Sequence, residues 1–169
     1  MISSNLVNQK PFYYYVNEVD LGSANFTNAG QISLHYCENS TISNINISRT
    51  LTGIELDNCF NITIVNSNSS YNQGTGIYLT YCNNITVLNT TLDENDDIGL
   101  QLLSTHNCNI TGNSMKNCDV GIELLYSTKN EIVKNIMENC GIFISDDSTP
   151  PIPVNDIANS NTVNGNPVY

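Results

Sequence analysis

Apolar and polar residues alternate in short runs along this chain, as in Ile54-Glu55-Leu56-Asp57 and Ile62-Thr63-Ile64. A period of two marks a strand with one buried face, and no segment keeps the i, i+3, i+4 spacing of a helix. The runs themselves recur. Gly30, Gly53, Gly76, Gly99, Gly121 and Gly141 stand 20 to 23 residues apart, and the last five open the segments Gly53-Ile-Glu-Leu, Gly76-Ile-Tyr-Leu, Gly99-Leu-Gln-Leu, Gly121-Ile-Glu-Leu and Gly141-Ile-Phe-Ile. A unit this short cannot bury its own apolar face and must stack on its neighbours, so the period predicts a solenoid.

Aligned repeats resolve into apolar columns. The first is Ile32, Ile54, Ile77, Leu100, Ile122, Ile142; the second is Leu34, Leu56, Leu79, Leu102, Leu124, Ile144. A third runs Ile42, Ile64, Val87, Ile110, Ile132, Ile152, and a fourth runs Ile47, Ser69, Leu92, Met115, Met137. Three short strands per repeat, joined by Asn-, Ser- and Gly-rich turns, predict an all-β fold: a right-handed parallel β-helix of about six coils of 20–23 residues. A leucine-rich repeat is excluded because the return segment Ile62-Thr63-Ile64-Val65-Asn66 is β-branched and alternating rather than helical. Coils ~4.8 Å apart would build a rod roughly 30 Å long. Residues 1–29 read as an N-terminal cap or first irregular turn, residues 30–152 as the coils, and residues 153–169 as a C-terminal cap or linker to a following module. Tyr13-Tyr14-Tyr15-Val16 is suited to start the first turn or cover the core, and Ser148-Thr149-Pro150-Pro151-Ile152-Pro153 breaks strand pairing.

Polar columns accompany the apolar ones. Asn39, Asn61, Asn84, Asn107 and Asn130 form a turn column, which predicts a ladder of stacked amides. Cys37, Cys59 and Cys82 share one column, read as a buried thiol stack. Cys118 and Cys140 share another that Asn72 and Asn95 begin. Strand spacing lies within the Cα range of a disulfide, so occasional bridging is compatible with this register.

Composition narrows the functional classes. Of 169 residues, 5 are basic and 16 acidic, for a net charge of −11. Nucleic acid is excluded as a partner because phosphate binding needs a basic footprint, and an anionic membrane surface is disfavoured for the same reason. No apolar run is long enough to span a membrane. Met1-Ile2-Ser3-Ser4-Asn5 lacks the basic and apolar regions of a signal peptide. The Asn-, Ser- and Thr-rich, weakly charged surface nonetheless suits an extracellular or cell-surface protein, as part of a longer secreted chain. Asn-x-Ser/Thr sequons abound, and Asn25, Asn68 and Asn89 are the glycosylation candidates outside the turn column.

The two ends match. Ser4-Asn5-Leu6-Val7-Asn8-Gln9-Lys10-Pro11-Phe12-Tyr13 and Ser160-Asn161-Thr162-Val163-Asn164-Gly165-Asn166-Pro167-Val168-Tyr169 agree at six of ten positions, at an offset of 156. The chain therefore reads as one module of a tandem array, or one that associates end to end with itself or with neighbouring β-helix modules.

The unit G-I-x-L-x-x-C-x-N-x-T opening residues 53–66 and 76–89 resembles the repeat of NosD-like and CASH-domain β-helix proteins. The terminal N-x-V-N-x-x-P-x-Y, with Asn25-Phe26-Thr27-Asn28-Ala29-Gly30, is similar to modules of cell-surface proteins of methanogenic archaea. These coils carry lyases, epimerases, binding modules and inert stalks alike, so the resemblance implies fold more than function.

An outward face offers the enzymatic alternative. His35 and Asp57 fall on neighbouring coils with Glu55 beside them, an acid–base arrangement for an epimerase or lyase acting on a polysaccharide, with Tyr78 and Tyr81 as sugar-stacking platforms. Against it, Arg49 is the only arginine available to neutralise a uronate, and the acidic field repels anionic glycans. The turn Asp93-Glu94-Asn95-Asp96-Asp97 could ligate Ca²⁺ through Asp93, Glu94, Asp96 and Asp97, but lacks known calcium-loop spacing. Copper chemistry has little to draw on: two His and three Met are present, and Met115 and Met137 fall in an inward column. No cofactor is expected. The reading these features favour is a non-catalytic structural module.

Overall fold

The computed structural model describes residues 5–145 and 154–169. The chain winds as a right-handed parallel β-helix, with sheets stacked around one continuous apolar core. The first sheet has eight strands. Leu6–Val7 is antiparallel; the parallel rungs are Lys10–Val16, Gln31–His35, Thr52–Asp57, Thr75–Thr80, Ile98–Leu103, Val120–Leu125 and Ile142–Ser145. The second sheet runs in six rungs from Glu38–Ser43 to Asp156–Ile157. The third face is made of two- and three-residue rungs such as Asn46–Ile47, Ser114–Lys116 and Thr162–Val163, with Thr91 bridging its two halves.

Register follows the apolar columns. Ile32 lies beside Ile54, Leu56 beside Leu79, Ile77 beside Leu100 and Ile110 beside Ile132. Each of these side chains is fully buried, a gain of about 1.5–3 kcal/mol for a residue of this size. A slip of one residue would turn every one of them to solvent, so the alternating pattern locks the rungs in place.

Two columns differ from the sequence expectation. Ile132 is followed by Ile157, not Ile152, which lies outside the described residues. Gly30 sits one position before the glycine column, because the pairing of Ile32 with Ile54 puts Gln31 opposite Gly53. The column has a steric cause. A Cβ on Gly99 would come within 2.8 Å of both the Gly121 carbonyl and Met115 Cγ, and one on Gly121 within 2.9 Å of Met137 Cγ. Among the described residues, nothing lies within 4 Å of a Cβ placed on Gly141.

The ends are built differently. At the N-terminal end Phe26 packs edge-on against Tyr13 and Tyr15, at centroid distances of 6.0 and 5.9 Å, and closes the core. This segment adds Lys10–Val16 as a further rung, so the first sheet has one coil more than the glycine count predicts. At the other end Ile144 occupies the same inward column as Leu124, yet is 50% exposed where Leu124 is fully buried.

Corner residues are buried polar groups rather than loose loops. Asn113, Asn135 and Asn161 stack inside one corner, each amide oxygen accepting the backbone N–H of the residue on the preceding rung. Among the described residues, no buried side-chain N or O lacks a hydrogen-bond partner.

Candidate functional site

The outward face of the first sheet brings together His35, Asp57 and Glu55, with Ser33 joining them. Residues i and i+2 of a strand share a face, and the register sets Ser33 beside Glu55 and His35 beside Asp57. His35 Nδ1 lies 3.2 Å from Asp57 Oδ2, and its Nε2 lies 2.8 Å from Ser33 Oγ. Ser33 Oγ in turn donates to Glu55 Oε2 at 3.1 Å. The Asn58 amide donates to the other Asp57 oxygen, and the Tyr14 ring stands 5.1 Å from the imidazole.

All three bonds of the chain Asp57–His35–Ser33–Glu55 form at once only when both ring nitrogens carry hydrogen. Ser33 then accepts from His35 and gives its own proton to Glu55. The serine hydroxyl is thus committed to a carboxylate and nearly buried, which is the opposite of an activated nucleophile. The His35 and Asp57 side chains are 23% and 24% exposed, so the row is open to solvent at that end. Ser33 occupies the register column of Glu55, and side-chain geometry ties it to His35.

Of the proposed sugar platforms, Tyr78 lies in the strand column between Glu55 and Gln101, whereas Tyr81 lies on the turn beyond that strand. They do not share a column. The acidic turn does not converge either. Asp93 accepts from Ser114, Glu94 accepts from Asn117, Asn95 points into the core, and Asp96 and Asp97 face solvent. Burial raises the Asp93 carboxyl above its usual range. Among the described residues no group of three or more His, Cys, Asp or Glu is placed to hold a metal ion.

In the turn column, Asn84 donates to Asn61 at 3.1 Å and Asn61 to Asn39 at 2.7 Å. Asn107 shares their left-handed backbone, and Lys129 takes the next place. Asn130 is the exception. It turns inward, its oxygen accepting the Cys108 N–H, because the register there advances by 22 residues rather than 23. Cys37, Cys59 and Cys82 do stack, with the Cys59 N–H donating to Cys82 Sγ, and Thr105 and Ser127 continue the column. All six thiols are free; burial pushes Cys108 up to about 12, whereas a hydrogen bond from Cys118 lowers Cys140 to about 7. Of the sequon residues, Asn25 accepts the Gly22 N–H, Asn68 is half-buried in a third-face rung, and Asn89 is exposed.

A family model described as periplasmic copper-binding protein (NosD) matches residues 8–168. The chain belongs to the NosD family. No curated protein matches it. Among the described residues of this NosD-family chain, the copper of the family description finds no suitable donor set. His35 is held by Asp57 and Ser33, and His106 Nδ1 by Thr128 at 3.0 Å. Met115 and Met137 are fully buried, and five of the six thiols are buried. Among the described residues, no helix is long and apolar enough to cross a membrane.

Proposed function

We propose that this NosD-family domain is a non-catalytic structural module of an extracellular or cell-envelope protein, continued head to tail by further β-helix modules. The carrying observation is that the matched ends fold alike. Leu6 pairs with Pro11 and Val7 with Lys10; 156 residues on, Thr162 pairs with Pro167 and Val163 with Asn166. Both hairpins turn through two left-handed residues, Asn8-Gln9 and Asn164-Gly165. Both add the same flanking bond, from the Phe12 N–H to the Asn5 carbonyl at 2.9 Å and from the Val168 N–H to the Asn161 carbonyl at 3.0 Å.

In the first hairpin the chain runs on from Pro11 into the opening rung of the first sheet. The equivalent continuation after Pro167 would lay a new rung against Ile142–Ser145, covering Ile144. Such a contact joins opposite ends of one sheet, so it propagates rather than closes. The family's periplasmic description and the Asn- and Thr-rich surface support a location outside the cytoplasm.

A carbohydrate-processing role for His35, Asp57 and Glu55 has less support. Their hydrogen bonds are spent on one another and on Ser33, and the cationic side chains Lys10 and Arg49 line a cleft of about 230 Å³ at the first hairpin, on a different corner of the coil.

Sedimentation velocity and negative-stain electron microscopy across a concentration series test the structural reading. Rods should lengthen in steps of one module, roughly 35 Å for seven rungs. Ile144→Lys should abolish the lengthening without changing the melting temperature. A single 18.6 kDa species at every concentration overturns the end-to-end reading.

A further inference from the structure

The corner that follows each first-sheet strand holds one residue per rung in the left-handed region: Asn17, Tyr36, Asn58, Tyr81, Ser104 and Tyr126, with φ between 47° and 55°. Their backbone N–H groups donate to the next rung, Tyr36 to the Asp57 carbonyl, Tyr81 to Leu103 and Tyr126 to Ser145. The side chains are therefore aligned along the helix axis. From Tyr36 onward, tyrosine occupies every second rung and a small polar residue the rungs between.

These tyrosines are exposed, at 56%, 62% and 47%. Burial does not account for them. Nor does backbone preference: a bulky side chain at positive φ is disfavoured, and asparagine is the commonest residue at this protein's other left-handed positions. Strain kept at an exposed position in a regular pattern is a mark of function. Tyr71, also left-handed and exposed, stands on a different corner, between Arg49 and Glu94.

We propose that Tyr36, Tyr81 and Tyr126 form a binding strip for an uncharged, extended, β-1,4-linked polysaccharide lying along the β-helix axis, every second sugar stacked on a tyrosine. Rungs repeat at ~4.8 Å, so the rings repeat at roughly 9.6 Å. In an equatorially linked chain each pyranose advances by nearly one rung and is turned over relative to the last, so the same apolar sugar face returns at every second residue. A tyrosine ring presents the matching amphipathic surface. Asn58 and Ser104 fill the intervening rungs. The neighbouring outward column carries Asn83, whose amide suits sugar hydroxyls, beside His106, whose Nδ1 is held by Thr128. The net charge of −11 selects against polyuronates. The strip runs along the side of the rod, so it stands whether or not modules continue end to end.

Isothermal titration with cellohexaose, chitohexaose and maltohexaose tests the strip, with circular dichroism confirming the fold of each variant. At least one of the two β-linked hexaoses should bind, the α-linked maltohexaose should not, and cellobiose or chitobiose, too short to span two rings, should bind at least tenfold more weakly. Tyr81→Ala should reduce affinity tenfold or more. The double variant Asn58→Tyr/Tyr81→Asn keeps the composition but breaks the alternation, and should lose affinity to the same degree. Failure of both β-linked hexaoses to bind the folded protein at millimolar concentration overturns the proposal. So does equal binding of maltohexaose, or unchanged affinity in the double variant.

Discussion

Asn135→Ala is the most informative single perturbation of this fold. The Asn135 side chain is fully buried and makes four hydrogen bonds. Its oxygen accepts from the Asn113 backbone N–H at 2.9 Å and from the Asn113 amide at 3.0 Å; its amide donates to the Ile110 carbonyl at 2.8 Å and to Asn161 Oδ1 at 3.0 Å. Two of these partners keep other bonds. The Asn113 amide still donates to the Val87 carbonyl, and Asn161 Oδ1 still accepts the residue 135 N–H. The Asn113 N–H and the Ile110 carbonyl lose theirs in a fully buried corner. At about 1–3 kcal/mol for each of the two buried groups left unpaired, the cost comes to about 2–6 kcal/mol, and a small cavity adds to it. The control is Asn61→Gly on the exposed ladder, chosen because alanine at φ 54° would add backbone strain. It should cost below about 0.5 kcal/mol. Urea unfolding followed by far-ultraviolet circular dichroism reads both, as shifts in midpoint at constant slope. A loss under about 1 kcal/mol for Asn135→Ala, or an equal loss for Asn61→Gly, would refute the view that the buried corner amides hold the coils together.

Three further outcomes follow from the same packing. Gly99→Ala should destabilise by about 1–3 kcal/mol through the clash with Met115 and the Gly121 carbonyl, and an unchanged urea midpoint would contradict it. Cys140, lowered to about 7 by the hydrogen bond from Cys118 against the opposing effect of burial, should gain thiolate as pH rises through 7. Iodoacetamide should then label it ahead of the five buried thiols, and Cys118→Ala should move its reactivity to higher pH; peptide mass mapping that finds Cys140 unlabelled at pH 8 contradicts this. Asp57→Asn, at a quarter-exposed hydrogen bond to His35, should change stability by less than about 1 kcal/mol, and a larger loss by thermal melting would show that the His35 row helps hold the coils together.

Much of the architecture can be read from one-dimensional periodicity. Inward columns such as Ile54-Ile77-Leu100 and Leu56-Leu79-Leu102 were recoverable because a solenoid repeats one local environment, so residues a coil apart face the same neighbours. Where coil length drifts, the reading fails. Asn130 resembles Asn107 in sequence but faces inward, Gly30 misses its column by one position, and Ile157 rather than Ile152 completes the third column, since the register is set by strand pairing and not by spacing alone.

The sequence by itself determined the strand period, the stacking of coils, the apolar core and the likeness of the two ends, because each is a property of residues at fixed spacing. Tertiary structure alone decided which asparagines form the buried ladders, that Ser33 links His35 to Glu55, that both ends fold into the same hairpin, and that Tyr36, Tyr81 and Tyr126 fall in line on a corner. Those outcomes depend on the direction in which a side chain leaves a turn. A left-handed residue at a corner sends its side chain outward and its neighbour inward, and composition does not reveal which position will take that conformation.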